Sequence, residues 1–165
     1  FYAAAPLIGG AFGNWFSGWM VDRIYSAGHW TWSRRIPAMI GFALGAIGLI
    51  ASLGAESAGV AVFWLTVAVF GVDMTLSPSW SFCTDIGRKS AGAVSGTMNM
   101  AGNFGGFATA LAFPYLAAWF GSNEPFFLIA AGLNLVAALL WLLADPKAPI
   151  KQSVPKAPSK QSAPS

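Results

Sequence analysis

Ser95, Asn99 and Asn103 stand four residues apart in a run without a single charge. At helical spacing all three project from one face, beside Gly92, Gly96 and Gly106. A primary amide removed from water is costly unless it finds a partner. Two uses fit this pattern. One is hydrogen bonding between helices, worth about 0.6 kcal/mol per contact in a bilayer. The other is a hydroxyl-rich or carboxylate solute in a water-lined cavity, with the glycines opening the backbone to it. Asn99 and Asn103 are the candidate ligands. A second polar patch consists of Asp73, Thr75, Ser77 and Ser79, where Pro78 loosens the helix. Asp73 is the only ionisable group deep in an apolar run, and at a bilayer centre its charge would cost about 2.5–3.5 kcal/mol. No Lys, Arg or His lies within the apolar runs to pair with it. It must be neutral, hydrated or partnered from elsewhere, and both a solute or proton role and a structural hydrogen bond stay open.

Other chemistry is poorly supplied. Cys83 is the only cysteine, so no internal disulfide forms and no Cys/His cluster holds a metal. His29 sits among Trp30, Trp32 and Ser33 as an interfacial residue, and Glu56 and Glu124 are loop carboxylates. No nucleophile, base and orienting group can be assembled, and no glycine-rich loop follows a strand. The expectation is a protein that is not an enzyme and carries no cofactor or metal.

The elements that position these residues follow from composition. Of 165 residues 56% are apolar and 9% charged, against about 25% charged in a soluble domain; mean hydropathy is +0.60. Such a chain cannot cover itself with polar surface, which excludes a cytosolic enzyme domain, a nucleic-acid binder and a disordered chain. Its partner is the lipid bilayer. A crossing helix needs about 20 apolar residues, and five stretches qualify: 3–21, 36–53, 60–82, 91–120 and 126–144. Barrel strands would alternate over about ten residues, whereas these runs are continuous. The fold class is all-α, a polytopic membrane helix bundle over residues 1–145. Gly9/Gly13, Gly41/Gly45, Gly92/Gly96 and Gly102/Gly106, each four apart, predict close helix packing.

Basic residues set the orientation. Arg23, Arg34 and Arg35 lie between the first two stretches, Arg88 and Lys89 between the third and fourth, and the lysines follow the fifth. All 9 fall on one side, which marks the cytoplasmic face. Trp15, Trp19, Trp80 and Trp141 then fall toward inner ends, Trp64 and Trp119 toward outer ends, as in an aromatic belt. Residues 146–165, rich in Pro, Ser and Lys, cannot bury a core and are expected to be a disordered cytoplasmic tail. The start has neither an initiator Met nor a basic segment ahead of its apolar run, so it is no signal peptide. Five crossings are an awkward count for a repeat-built bundle, and the chain reads as the C-terminal portion of a larger protein.

The segment Gly18-Trp19-Met20-Val21-Asp22-Arg23, followed by Arg34-Arg35, resembles the G-x-x-x-D-R…R-R signature of the major facilitator superfamily, in its second copy between helices eight and nine. Residues 77–116, SPSWSFCTDIGRKSAGAVSGTMNMAGNFGGFATALAFPYL, resemble helices ten and eleven of its anion:cation symporter family, the sugar-acid and hexuronate transporters. The resemblance covers residues 3–144. It implies helices 8–12 of a twelve-helix fold in the cell (inner) membrane, with helices 1–7 absent from this sequence. It also implies a proton-coupled symporter of an organic anion such as a sugar acid, alternating access between two halves. It carries Asn99 and Ser77 onto substrate hydrogen-bonding positions; Asn103 and Asp73 join them from periodicity and burial. Gly18, Asp22, Arg23, Arg34 and Arg35 become gating residues, although the loop from Arg23 to Arg34 is longer than the compact signature. The competing expectation is a small self-contained membrane scaffold or oligomeric channel. An intramembrane enzyme would need paired catalytic groups, and none is visible.

Overall fold

The computed structural model describes Tyr2 and residues 4–150. The expected disordered tail lies outside the described residues from residue 151 onward. Six α-helices account for most of the described chain: α1 (Ala4–Ser26), α2 (Trp30–Leu53), α3 (Ala58–Met74), α4 (Leu76–Gly87), α5 (Ala91–Phe120) and α6 (Glu124–Leu140). Single 3-10 turns follow α4 at Arg88–Ser90 and α6 at Trp141–Leu143, and there is no strand among the described residues.

Two helix boundaries differ from those expected of hydropathy. The first apolar run ends at Val21 and the second starts at Ile36, yet α1 continues to Ser26 and α2 already begins at Trp30. Hydropathy marks where a helix leaves hydrocarbon, not where its backbone stops. The backbone stops at Gly28, whose φ of 85° is open to glycine without the Cβ penalty. The long loop of the sequence reading is therefore only Ala27–His29, and Arg34 and Arg35 sit on the first turns of α2.

The second difference lies in the third run, which is two helices. Pro78 has no N–H to give the carbonyl of Met74 four residues earlier. That carbonyl instead accepts the hydroxyl of Ser17 from α1. The Thr75 N–H bonds tightly back to the Val72 carbonyl at 3.0 Å, and the Thr75 hydroxyl donates to the same carbonyl at 2.7 Å. The chain thus breaks at Thr75, within its polar patch. Side chains from a neighbouring helix satisfy the freed group, the condition on which irregular backbone is tolerated at membrane depth.

Among the described residues three helical segments are long and apolar enough to cross a membrane: Trp30–Leu53, Ala58–Phe120 and Glu124–Leu143. The middle one, 63 residues, would be far longer than a hydrocarbon core of about 30 Å if straight. It folds back at Arg88, where φ is 46°, so that α4 lies against α5. α1 is not in this set. Asn14, Ser17 and its glycines dilute its hydropathy, so length and composition alone do not fix five crossings.

α2 is the centre of the packing, touching α1, α3, α4 and α6, while α1 also lies along α3. Glycine decides how close these helices come. A Cβ on Gly13 would meet the Phe70 carbonyl oxygen at 2.2 Å, and one on Gly41 the Gly71 oxygen at 2.5 Å. Gly9 faces Thr66 and Gly45 faces Asn134. The glycine pairs of α5 behave differently: Gly92, Gly96, Gly102 and Gly106 have nothing within 4 Å. α5 touches only α4, α6 and the turn before it, and every residue from Asn99 to Leu111 is exposed. Identical spacing is used as a contact on α1 and α2, and left open on α5.

Candidate functional site

A cavity of about 600 Å³ runs along α1, lined by Ala11, Asn14, Trp15, Gly18, Trp19 and Asp22 with Ser77 of α4. Ser77 lies in the first turn of α4, two residues past the interruption at Thr75, and its side chain meets α1. Its hydroxyl lies 2.9 Å from Asn14 Oδ1 and 3.3 Å from the Asn14 carbonyl, donating toward both. A hydroxyl can serve two acceptors only in part, and its own lone pairs stay available. The Asn14 side chain keeps its Nδ2 donors for another acceptor. The cavity therefore offers amide donors, a hydroxyl and two indole rings, with the Asp22 carboxylate at one end. Such walls suit a small polar solute better than a lipid tail.

Asp73 lies one helical turn away, between α1 and α3. A Cβ on Gly10 would stand 2.0 Å from its Oδ2, so glycine at that position is what makes room for the carboxylate. It has no ion-pair partner among the described residues, where the one salt bridge is Arg34–Asp85. Asp73 and Ser77 thus come to the same α1 interface. Asn99 and Asn103 do not join them. Both are exposed on α5, and α5 does not contact α1. The Asn103 Nδ2 donates to the Asn99 carbonyl at 2.9 Å within the helix, which leaves the Asn99 side chain without a hydrogen bond among the described residues. Only Ser95 of that polar face is buried.

The expected gate divides into three. Gly18 and Asp22 line the cavity. Arg23 points to a separate apolar groove with Ile24, Ala27, His29, Trp32 and Ile36. Arg34 donates from Nε to Asp85 Oδ2 at 2.8 Å, and its Nη1 lies 3.2 Å from the Ser33 hydroxyl. The same Asp85 oxygen accepts from the Trp30 indole at 3.0 Å, while Tyr25 places its ring 5.4 Å below the guanidinium. Arg35 donates to the Ala144 carbonyl at 2.8 Å and stacks over Trp32. The start of α2 is thereby tied to the end of α4 and to the exit of α6.

Sequence reasoning missed Asn14, Asp85 and Asn134. Asn14 offered the same signal that drew attention to Asn99, an amide in an uncharged run. Asp85 stands just ahead of the basic turn Arg88-Lys89, past the end of the third apolar run, where nothing in the sequence names its partner. Asn134 lies between α6 and α2, donating to the Ala130 carbonyl at 2.8 Å; its buried Oδ1 has no hydrogen-bond partner among the described residues.

The sequence description of the Major Facilitator Superfamily matches residues 3–164. The chain is 32% identical over 147 residues to the "Probable sulfoacetate transporter SauU" of Cupriavidus necator, covering 88% of this chain and 34% of that protein. It is 31% identical over 107 residues to a "Putative tartrate transporter" of Agrobacterium vitis, covering 64% of this chain and 25% of the relative. The chain therefore spans about a third or less of the curated relatives it matches. No solved structure matches it.

Proposed function

This chain belongs to the Major Facilitator Superfamily, and from that premise we propose that it forms the C-terminal part, helices 8–12, of a proton-coupled symporter of a small organic anion. The basic residues face the cytoplasm of the cell (inner) membrane, the five runs each cross once, and helices 1–7 complete the transporter. Transporters of this build hold solute near the midplane between two halves that rock about it. The observation that carries the reading is the polar cavity between α1 and α4, set beside a helix break in an otherwise apolar bundle. Ser77 and Asn14 would hydrogen-bond solute hydroxyl or carboxylate oxygens there. Asp73, held against Gly10 without a cation, is the group available to take up a proton. Asn99 and Asn103 would meet the solute from α5, whose free face turns to the missing half. Gly18, Asp22, Arg23, Arg34 and Arg35 would close the inner gate.

The relatives' names supply the probes, since tartrate carries hydroxyls and two carboxylates and sulfoacetate a carboxylate and a sulfonate. The full-length protein in proteoliposomes should accumulate one of these, or a sugar acid, when the outside is acidified, and a protonophore should abolish the accumulation. Uptake driven by sodium and indifferent to pH would overturn proton coupling. Failure to move any of the anions would overturn the substrate class.

If tartrate is the better probe, Asn99→Ala should weaken its binding by about 1–3 kcal/mol, the cost of leaving a buried polar partner unsatisfied. Succinate lacks the hydroxyls, so its affinity should change far less, because discrimination of this kind needs a contacted hydroxyl. Equal losses for both ligands, or a stability drop at unchanged affinity, would return Asn99 to a packing role.

A further inference from the structure

The groove at the α1–α2 turn differs in chemistry from the polar cavity on the other side of α1. About 520 Å³ in volume, it has walls from Ile24, Ala27, Trp32 and Ile36, with Arg23 and His29 as its polar members. Apart from the Trp32 indole N–H those walls are hydrocarbon, so a small hydrophilic solute finds few partners there beyond Arg23 and His29. Arg23 makes no ion pair among the described residues, where the one salt bridge is Arg34–Asp85. The contacts at this end of the bundle gather charge. Arg34 reaches the end of α4, Arg35 the exit of α6, and the Ile150 N–H bonds to the Ile86 carbonyl at 3.0 Å. Arg23, Arg35, Arg88, Lys89 and Lys147 thus share one rim, where exposed Trp19 and Trp32 stand as interfacial rings do. A ligand that matches must combine an anionic head with a long apolar chain.

We propose that this groove binds an anionic phospholipid, its phosphate at Arg23 and His29 and an acyl chain along Ile24, Ala27 and Ile36. Long basic side chains suit the task, since they lie along apolar surface while keeping the charge at the headgroup level. The lipid would be distinct from the transported solute and would sit one residue from Asp22, on the opposite side of α1 from the cavity.

The test uses the full-length protein in vesicles of phosphatidylcholine doped with a photoactivatable phosphatidylglycerol or the matched phosphatidylcholine, with cross-links mapped by mass spectrometry. Phosphatidylglycerol should label the segment containing Ile24, Trp32 and Ile36 about fivefold more than phosphatidylcholine, the order expected of one or two basic groups near a headgroup. Arg23→Gln with His29→Gln should bring the two lipids to parity, and Ala27→Trp, which fills the groove, should lower labelling by both. Soluble glycerol phosphate should not compete. Equal labelling of wild type by both lipids would overturn the proposal, and so would displacement by glycerol phosphate, which would mean a free phosphate site. The wild-type comparison decides even if a variant fails to fold, and neither outcome decides whether the protein moves an organic anion.

Discussion

Replacing Asp85 with alanine is expected to destabilise the protein by about 3 kcal/mol, because removing one member of a buried ion pair strands the other. The side chains of Arg34 and Asp85 are 10% and 16% exposed, too dry for the near-zero value of surface pairs. Asp85 also accepts from the Trp30 indole, so its loss orphans two donors at once. Arg34 would be left with the Ser33 hydroxyl and the Tyr25 ring, neither of which neutralises a guanidinium. Adding Arg34→Met should recover much of the loss, since a missing pair costs less than a broken one. Asp85→Asn, which keeps an oxygen for Trp30, should fall between. Thermal unfolding of the purified full-length parent and the three variants in one detergent checks this. Additive losses in the double variant, or an Asp85→Ala protein as stable as the parent, would show that the pair is a solvated surface contact.

Gly71→Val should be still more damaging, with a cost above about 3 kcal/mol, at the severe end for overpacking. A Cβ there would stand 2.5 Å from the Gly41 oxygen and 2.7 Å from the Gly45 nitrogen. Both are backbone atoms, so no side chain can swing aside; α2 and α3 must part. That interface is central, because α2 also carries α1 and α6. The control is Gly59→Ala in the first turn of α3, with nothing within 4 Å. It should be neutral or slightly stabilising, by up to about 1 kcal/mol, as alanine loses less backbone entropy in a helix. If Gly71→Val melts with the parent, α2 and α3 do not approach as closely as described.

Composition and the continuity of the apolar runs determined a helical membrane protein, because this chain lacks the charge to live in water and barrel strands would alternate over about ten residues. The signature around Gly18, Asp22 and Arg23 and the block from residue 77 carried the family, since both are local strings that need no folding to be read. Ser77 and Asp73 were legible as polar residues in an apolar run. What they face was not. Whether Ser77 meets Asn14 or solvent depends on where Pro78 and Thr75 break a helix and on Ser17, from another helix, filling the vacated carbonyl. Asp85 became the partner of Arg34 only because α2 begins at Trp30, six residues before hydropathy places it. The glycine pairs make the same point. Gly41/Gly45 and Gly102/Gly106 have one spacing and one composition, yet the first pair presses on α3 and α6 and the second stands open. Spacing along a helix says which residues share a face; which face finds a neighbour is decided by the other helices, and that information is long-range.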